Sequence, residues 1–187
     1  MSRGDQIRAE LAEQMRQRIL LLDGAMGTMI QARRLTEADY RGREFAGHGK
    51  DLRLNNEVLN LSQPQIIEEV HRAYLDAGAD IIETNTFNGN AISMAEYGLE
   101  NRAADLSRAG AQIARRAVDR YAGETGRRCY VAGSMGPTPR TASVSQDVGN
   151  AAARGVTFDQ LREAYSAQVQ ALVEGGVDVL LLETAFD

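Results

Sequence analysis

Gly78-Ala-Asp-Ile-Ile-Glu-Thr84 and Gly176-Val-Asp-Val-Leu-Leu-Leu-Glu-Thr184 are two versions of one pattern, and this pattern decides the fold. In each copy a glycine and an aspartate precede an apolar run that ends in Glu-Thr. A short, uninterrupted apolar run is typical of a strand that is buried on both faces of a parallel sheet. The spacing of the copies fits two helix–strand units, so the repeat predicts a βα architecture.

Two further apolar runs, Ile19–Leu22 and Cys129–Ala132, predict strands of the same kind. Between the strands, amphipathic periodicity predicts three helices: one that follows a capping box at Ser62–Gln65 and ends at Gly78, one over Leu99–Tyr121 closed by Gly123, and one that follows a capping box at Thr157–Gln160 and ends at Gly175. An extra helix precedes the first strand. This alternation predicts parallel strands with right-handed crossovers, in either a doubly wound sheet or a (βα)8 barrel.

The composition is that of an ordinary globular domain. Of 187 residues, 43% are hydrophobic and 25% are charged, and the net charge of −5 gives no reason to expect nucleic acid or a membrane surface as a partner. The single cysteine, Cys129, excludes an intrachain disulfide, and we expect neither a signal peptide nor a membrane-spanning segment. We therefore expect a cytoplasmic protein.

Acidic residues follow three of the predicted strands, at the carboxyl ends where the long strand-to-helix loops lie. Asp23 with Gly24 and Ala25 offers a carboxylate beside backbone N–H groups, which together suit an amino acid; alternatively, Asp23 caps a turn. Glu83 and Glu183 close the two copies of the repeat. Buried acids need a cation or donors, so these face either a ligand or internal partners, such as Arg140 for Glu83.

The remaining candidates carry less chemistry. The loop Gly133–Ser143 is either a wall or lid over a site or a structural bend. His48 and His71 are isolated and form no metal spacing, and Cys129 begins a strand at the end opposite the long loops, so we expect it to be a buried apolar residue. No hydrolase motif surrounds Ser134.

Five stretches of the chain, in order, resemble the N-terminal region of cobalamin-dependent methionine synthases and, more broadly, the homocysteine S-methyltransferase family, which includes betaine–homocysteine methyltransferase. They are Leu21–Gln31, Glu37–Gly42, Ala77–Phe87, Gly136–Ser143 and Leu182–Asp187. The Asp-Tyr-Arg-Gly segment in the long loop after the first strand favours the methionine synthase branch.

The resemblance implies a (βα)8 barrel in which three cysteines bind zinc and zinc holds the homocysteine sulfur as a thiolate, which accepts a methyl group from methylcobalamin. By the same resemblance, Asp23 helps to position homocysteine and Gly24 and Ala25 supply N–H groups near its carboxylate. Thr86 lies in the matching second-strand motif, and Glu183 receives the amino group.

The chain carries only part of that family pattern. We expect residues 1–18 to form an N-terminal helix and residues 19–187 to form the first four strands of the barrel, which is half of the homocysteine-binding domain. The zinc cysteines and the cobalamin and folate modules of the parent enzyme are expected outside this chain, and no residue here is expected to be catalytic or to ligate metal.

The expected partners are homocysteine, the other half of the barrel, those modules and a second copy of the chain through self-association. The isolated chain is expected to be an inactive part of an enzyme of methionine biosynthesis. The alternatives are a non-catalytic half-barrel used as a binding module and a fragment of a cobalamin-independent, betaine-type methyltransferase.

Overall fold

Three parallel strands form the sheet of the computed structural model, which describes residues 2–145 and 148–186. The strands are β1 (Ile81–Glu83), β2 (Tyr130–Met135) and β3 (Val179–Leu182), in that order across the sheet. Ile82 pairs with Val131 in the first ladder and Gly133 with Leu180 in the second. The sheet is open, and parallel pairing with helical crossovers is confirmed.

Eight helices accompany these strands in the described part of the chain: α1 (Arg3–Gln17), α2 (Met26–Gln31), α3 (Glu37–Arg41), α4 (Leu59–Ser62), α5 (Pro64–Ala77), α6 (Ala91–Met94), α7 (Ala103–Thr125) and α8 (Phe158–Gly175). Single 3-10 turns lie at Asn56–Val58, Ala95–Tyr97 and Glu100–Arg102. None of the helices in these residues is long and apolar enough to span a membrane.

The prediction of a strand at Ile19–Leu22 was wrong. Only Leu22 forms a parallel bridge, to Ile81, and the Ile19 side chain is 84% exposed. The alignment is nevertheless that of a barrel strand, because Asp23 N–H donates to the carbonyl of Ile81. The chain thus runs beside β1 without a regular ladder, and a strand exposed in this way has little apolar burial to hold it.

The helix boundaries follow the predicted signals in part. Gly78 ends α5 in the left-handed conformation, with φ of 107°, and the Thr157 hydroxyl and Gln160 form the predicted capping box of α8. The prediction of a capping box at Ser62–Gln65 was wrong, because Ser62 ends α4 and its hydroxyl donates to the carbonyl of Val58. The next two stops lie slightly further along, since left-handed Gly126 ends α7 and Gly176 ends α8.

The repeated aspartates anchor the amino ends of the strands. Asp80 accepts a hydrogen bond from the N–H of Leu21 at 2.9 Å and pairs with Arg18 and Arg127. Asp178 does the same two units later, because it accepts from the N–H of Val131 at 2.9 Å and pairs with two arginines, Arg3 and Arg115. Each carboxylate thereby joins a strand to the segment before it.

The core lies between the sheet and the helices that cover its outer face. Ile82 and Val131 are fully buried there against Leu75 of α5 and Val118 of α7. On the other side of the sheet, Leu22, which pairs with Ile81, is nearly half exposed, and Leu180, which pairs with Gly133 on the same face as Val131, is exposed to the same extent at the sheet edge. At the amino end, α1 lies across β2, where Gln14 donates to the hydroxyl of Tyr130 at 2.8 Å. The carboxyl ends of the strands stay open.

Candidate functional site

A cavity of about 440 Å³ opens at the carboxyl ends of the strands, and we call it the acidic cavity. Glu57 of the 3-10 turn Asn56–Val58 lines it together with three acids from the strand ends: Asp23 beside the bridge at Leu22, Glu83 at the end of β1 and Glu183 directly after β3. Parallel strands end at one edge of a sheet, which brings these acids together although they are far apart in sequence. Gly24, Ala25 and Thr86 line the same cavity.

Asp23 does not cap the helix that follows it. The N-cap of α2 is Ala25, and no side chain caps this helix. Asp23 Oδ1 instead accepts a hydrogen bond from the N–H of Glu83 at 3.1 Å, while Oδ2 is buried without a hydrogen-bond partner among the described residues. One oxygen therefore fixes the side chain, and the other is left for a donor that these residues do not supply.

Burial gives two of these acids an unusual affinity for protons. It raises the pKa of Asp23 to about 7, and repulsion from Glu83 and Glu183 adds to this effect. Burial also raises the pKa of Glu83 to about 7, followed by the charge of Glu183 and a hydrogen bond that the two glutamates share. Near neutral pH, Asp23 and Glu83 are therefore each partly protonated and partly ionised. An ammonium group that enters the cavity favours the ionised form of both carboxyls.

Glu183 is held from the neighbouring strand. The Ser134 hydroxyl donates a hydrogen bond to Glu183 Oε1, and the N–H of Glu183 donates to the carbonyl of Met135 at 3.1 Å. Arg140, the alternative partner that the sequence suggested for Glu83, lines a separate cavity with Ala91 and Val156. Within the described residues, Glu83 therefore faces other acids and no arginine.

Thr86 is fully buried, and its hydroxyl connects two strand ends. It donates to the carbonyl of Ser134 at 2.8 Å and lies 2.5 Å from the Thr84 hydroxyl, which accepts from the Ser134 N–H at 3.0 Å. A hydroxyl has one hydrogen, so Thr84 donates to Thr86. These bonds hold the positions of Glu83 and Ser134, and direct contact between Thr86 and a ligand stays a prediction.

The long loop before α4 forms the opposite wall. Its segment Glu37–Arg41 is α3, where the Glu37 carboxylate accepts from the N–H of Leu52 and pairs with Arg41. The Tyr40 hydroxyl donates to the Asn56 side chain at 3.2 Å, and Asn56 and Glu57 both line the acidic cavity. In the sequence, the Asp-Tyr-Arg-Gly segment was notable only for its resemblance to a family motif. In the structure, this segment positions one wall of the acidic cavity.

Several lining residues had no signal in the sequence. The sequence around Ser134 lacks a nucleophile motif and gives no sign that its hydroxyl donates to Glu183. Glu57 is a fully buried acid in a 3-10 turn, and its Oε1 accepts from the N–H of Asn88 at 2.8 Å. Ser134 lies near the carboxyl end of β2 but belongs to no catalytic motif, and Glu57 belongs to neither a strand nor a spacing motif, so only the fold reveals their roles.

The residues present do not fit a zinc site. In residues 2–145 and 148–186, no group of three or more His, Cys, Asp and Glu side chains is placed to hold a metal ion. Cys129 is buried just before β2, at the end of the strand away from the acidic cavity, and burial raises the pKa of its thiol. The expected burial of Cys129 is confirmed, and no step of a reaction is assigned to zinc here.

The whole stretch of residues 20–187 matches the model of the homocysteine S-methyltransferase family. The chain belongs to the homocysteine S-methyltransferase family. It is also similar to the homocysteine methyltransferase MmuM from Escherichia coli. Against the metallated form it shows 27% identity and a TM-score of 0.68, over 93% of this chain and 57% of that one.

Two other structures of MmuM give the same result. The oxidized form shows 28% identity with a TM-score of 0.63 over 87% of this chain and 51% of that one. The apo form shows 27% identity with a TM-score of 0.56, over 87% and 48% of the two chains. This chain therefore spans about half the length of the homocysteine methyltransferases that it matches, and its three strands correspond to about half of their barrel.

Proposed function

We propose that this chain provides the amino-acid-binding part of a homocysteine S-methyltransferase, and that the acidic cavity takes the ammonium and carboxylate groups of homocysteine. The observation that carries the proposal is the buried, unpartnered Oδ2 of Asp23 beside Glu83 and Glu183. A protonated amine supplies the donors that this oxygen lacks and offsets the crowded negative charge. Gly24 and Ala25 line the same cavity, and in this proposal their N–H groups donate to the carboxylate.

In this proposal the chain's own residues bind and orient the substrate. Glu183, held by Ser134, receives the amino group, and Asp23 fixes it from the other side. Deprotonation of Glu83 or Asp23 accompanies binding, because an ammonium favours the ionised carboxylates. Groups that activate the sulfur would come from outside the described residues.

For the methyl donor we propose methylcobalamin, as in the methionine synthase branch. Support comes from the Asp-Tyr-Arg-Gly segment, whose Tyr40 and Arg41 build the wall that carries Asn56 and Glu57. A longer protein that contains this chain is expected to make methionine with methylcobalamin and not with betaine. The opposite preference would assign the chain to the betaine-type branch.

Binding of homocysteine by the chain itself tests the main proposal. Calorimetric titration under reducing conditions is expected to show saturable binding of L-homocysteine, with a similar affinity for L-homoserine, since the described residues hold the amino-acid end only. Glu183→Gln is expected to weaken both at least tenfold, at about 1.5–3 kcal/mol for a charged hydrogen bond. Glu100→Gln is the control, because Glu100 is exposed and outside the acidic cavity. Unchanged affinity in Glu183→Gln would contradict the assignment.

A further inference from the structure

A second cavity, of about 260 Å³, lies next to the acidic cavity and shares two of its residues, Glu57 and Asn88. The loop that follows β2 forms one wall with Pro137 and Pro139, and the turn after α6 forms another with Tyr97. Its volume is below that of a typical drug-sized pocket, so it suits a ligand of a few heavy atoms. Nothing in the homocysteine proposal uses this space.

Two polar side chains that line the second cavity lack the hydrogen bonds that burial demands. Asn55 is 2% exposed, and its Oδ1 has no partner among the described residues. Its amide nitrogen reaches only the sulfur of Met94, at 3.6 Å, which is a weak acceptor. The hydroxyl of Ser93 is likewise buried and unpartnered within the described chain. Such orphaned groups are rare in folded proteins and mark sites where a ligand completes the bonding.

All the charged side chains that line the second cavity in the described residues are acidic. The carboxylates of Glu57 and Glu96 line it, and no described lining residue is a lysine or an arginine. Lys50 lies nearby, but its ammonium donates to the backbone carbonyl of Glu96 at 2.8 Å and it does not line the cavity. Burial raises the pKa of Glu57, so a cation beside it would restore its charged form.

The backbone at the rim is also unusual. Leu54 lines the second cavity with φ of 75°, a left-handed conformation that a leucine rarely adopts, and its side chain is largely exposed. Strain of this kind persists where the surrounding fold enforces it, often at ligand sites. Leu54 with the two prolines offers apolar contact beside the acceptors.

We propose that the second cavity binds a small aliphatic primary amine, whose ammonium group donates to Asn55 and Glu57 while its methylene groups contact Leu54 and the prolines. The Asn55 Oδ1, the Ser93 hydroxyl and the carboxylates of Glu57 and Glu96 can each accept a hydrogen bond, and the two carboxylates favour a positive charge. A neutral alcohol of the same length lacks that charge, so it is expected to bind more weakly.

Titration of the full chain with 1,4-diaminobutane tests this site without homocysteine, and 1,4-butanediol is the uncharged control. Saturable binding of the diamine at millimolar concentration or below is expected, at least tenfold tighter than the diol. Ser93→Ala and Glu96→Gln are expected to weaken diamine binding about threefold to tenfold, whereas Glu100→Gln, which changes an exposed acid outside the cavity, leaves it unchanged.

The outcomes separate this site from the acidic cavity. Asp23→Asn is expected to reduce homocysteine binding and leave diamine binding unchanged, because Asp23 lines only the acidic cavity. Equal affinity for diamine and diol, no saturation up to about 10 mM, or unaltered binding in both Ser93→Ala and Glu96→Gln would overturn the proposal. Circular dichroism of each variant establishes that the helices remain, so a loss of binding reports on the site.

Discussion

The N–H of Glu83 donates a hydrogen bond to Asp23 Oδ1 at 3.1 Å, which ties the end of β1 to the loop that carries Gly24 and Ala25. The bond brings two acids together although both carboxyls resist ionisation in this setting. Such an arrangement costs folding free energy and is consistent with a site kept for binding, since functional sites commonly hold groups that do not favour stability.

Asp23→Asn is expected to stabilise the chain at pH 8 while it removes homocysteine binding. The folded-state pKa of about 7 lies above the ordinary 3.8, so the contribution of Asp23 to stability falls as the pH rises from about 4 through 7. The asparagine amide cannot ionise, so the variant does not lose stability as the pH rises. A gain on the order of 1–2 kcal/mol at pH 8, smaller at pH 5, is expected in urea unfolding after allowance for partial solvent exposure. Lower stability at pH 8 would contradict the assigned pKa.

The affinity for homocysteine is expected to rise between pH 6 and pH 8. Asp23 and Glu83 must be ionised to receive an ammonium group, and both titrate near pH 7 in the free chain. Below that pH, each proton that must leave costs up to about tenfold in affinity per pH unit. Calorimetry in buffers of different ionisation enthalpy will detect the released protons. A flat profile with no proton release would show that neither group takes part.

Replacement of His71 by leucine is expected to stabilise the fold. His71 is fully buried in α5, and neither ring nitrogen has a hydrogen-bond partner among the described residues. An apolar side chain of similar size removes that penalty, which is worth about 1–3 kcal/mol. His48→Leu is the contrast, because the His48 ring bonds to the carbonyl of Tyr97 at 2.7 Å and its loss is expected to destabilise.

His71→Leu is also expected to change how the stability of the fold depends on pH. Burial lowers the pKa of His71 to about 4, whereas the unfolded chain binds this proton near 6.5. The unfolded state therefore holds more protons between these values, and stability falls as the pH drops from 6.5 to 4. Thermal unfolding of His71→Leu is expected to show a weaker loss over this window. Identical pH profiles for both proteins would exclude burial as the origin of the shift.

Asp80→Asn is expected to destabilise the chain by about 2–4 kcal/mol. The Asp80 carboxylate is buried and holds Arg18, Arg127 and the N–H of Leu21 together, and these bonds keep its pKa well below the usual range. Its contribution is therefore present at neutral pH and is lost in acid. Asp76→Asn breaks an exposed pair with Arg72 and is expected to cost at most about 1 kcal/mol in the same urea unfolding. Equal effects would show that Asp80 is not an anchor.

The sequence predicts features that depend on neighbouring residues and misses those that depend on distant partners. Gly78 and the Thr157–Gln160 capping box are local signals, and both occur as expected. Ile19–Leu22 reads as a buried strand, but burial requires a second face of protein, which the described chain does not place there. The burial of Glu57 depends on the way the long loop folds over Asn88, and no local pattern records it.

The unoccupied side of the sheet leads to a prediction on association. Ile82 and Val131 are covered, because both pack under α5 and α7. Exposed apolar side chains also lie on and after β3, where Leu182 is 62% and Phe186 is 66% exposed. In the described residues β3 pairs with β2 alone, so its other edge carries unpaired backbone groups. Edges of this kind favour pairing with another chain.

Leu182→Lys is therefore expected to reduce self-association of the chain. A charge at an exposed edge position opposes strand pairing, and removal of the apolar side chain lowers the gain from its burial, which is worth about 1.5–3 kcal/mol when complete. Phe158→Lys is the matched control, because Phe158 is also exposed, at 74%, but begins α8 and belongs to no strand. Sedimentation velocity at micromolar concentration is expected to show oligomers for the unmodified chain and Phe158→Lys, and smaller species for Leu182→Lys. A monomeric unmodified chain, or equal dissociation by both substitutions, would show that the β3 edge does not drive association.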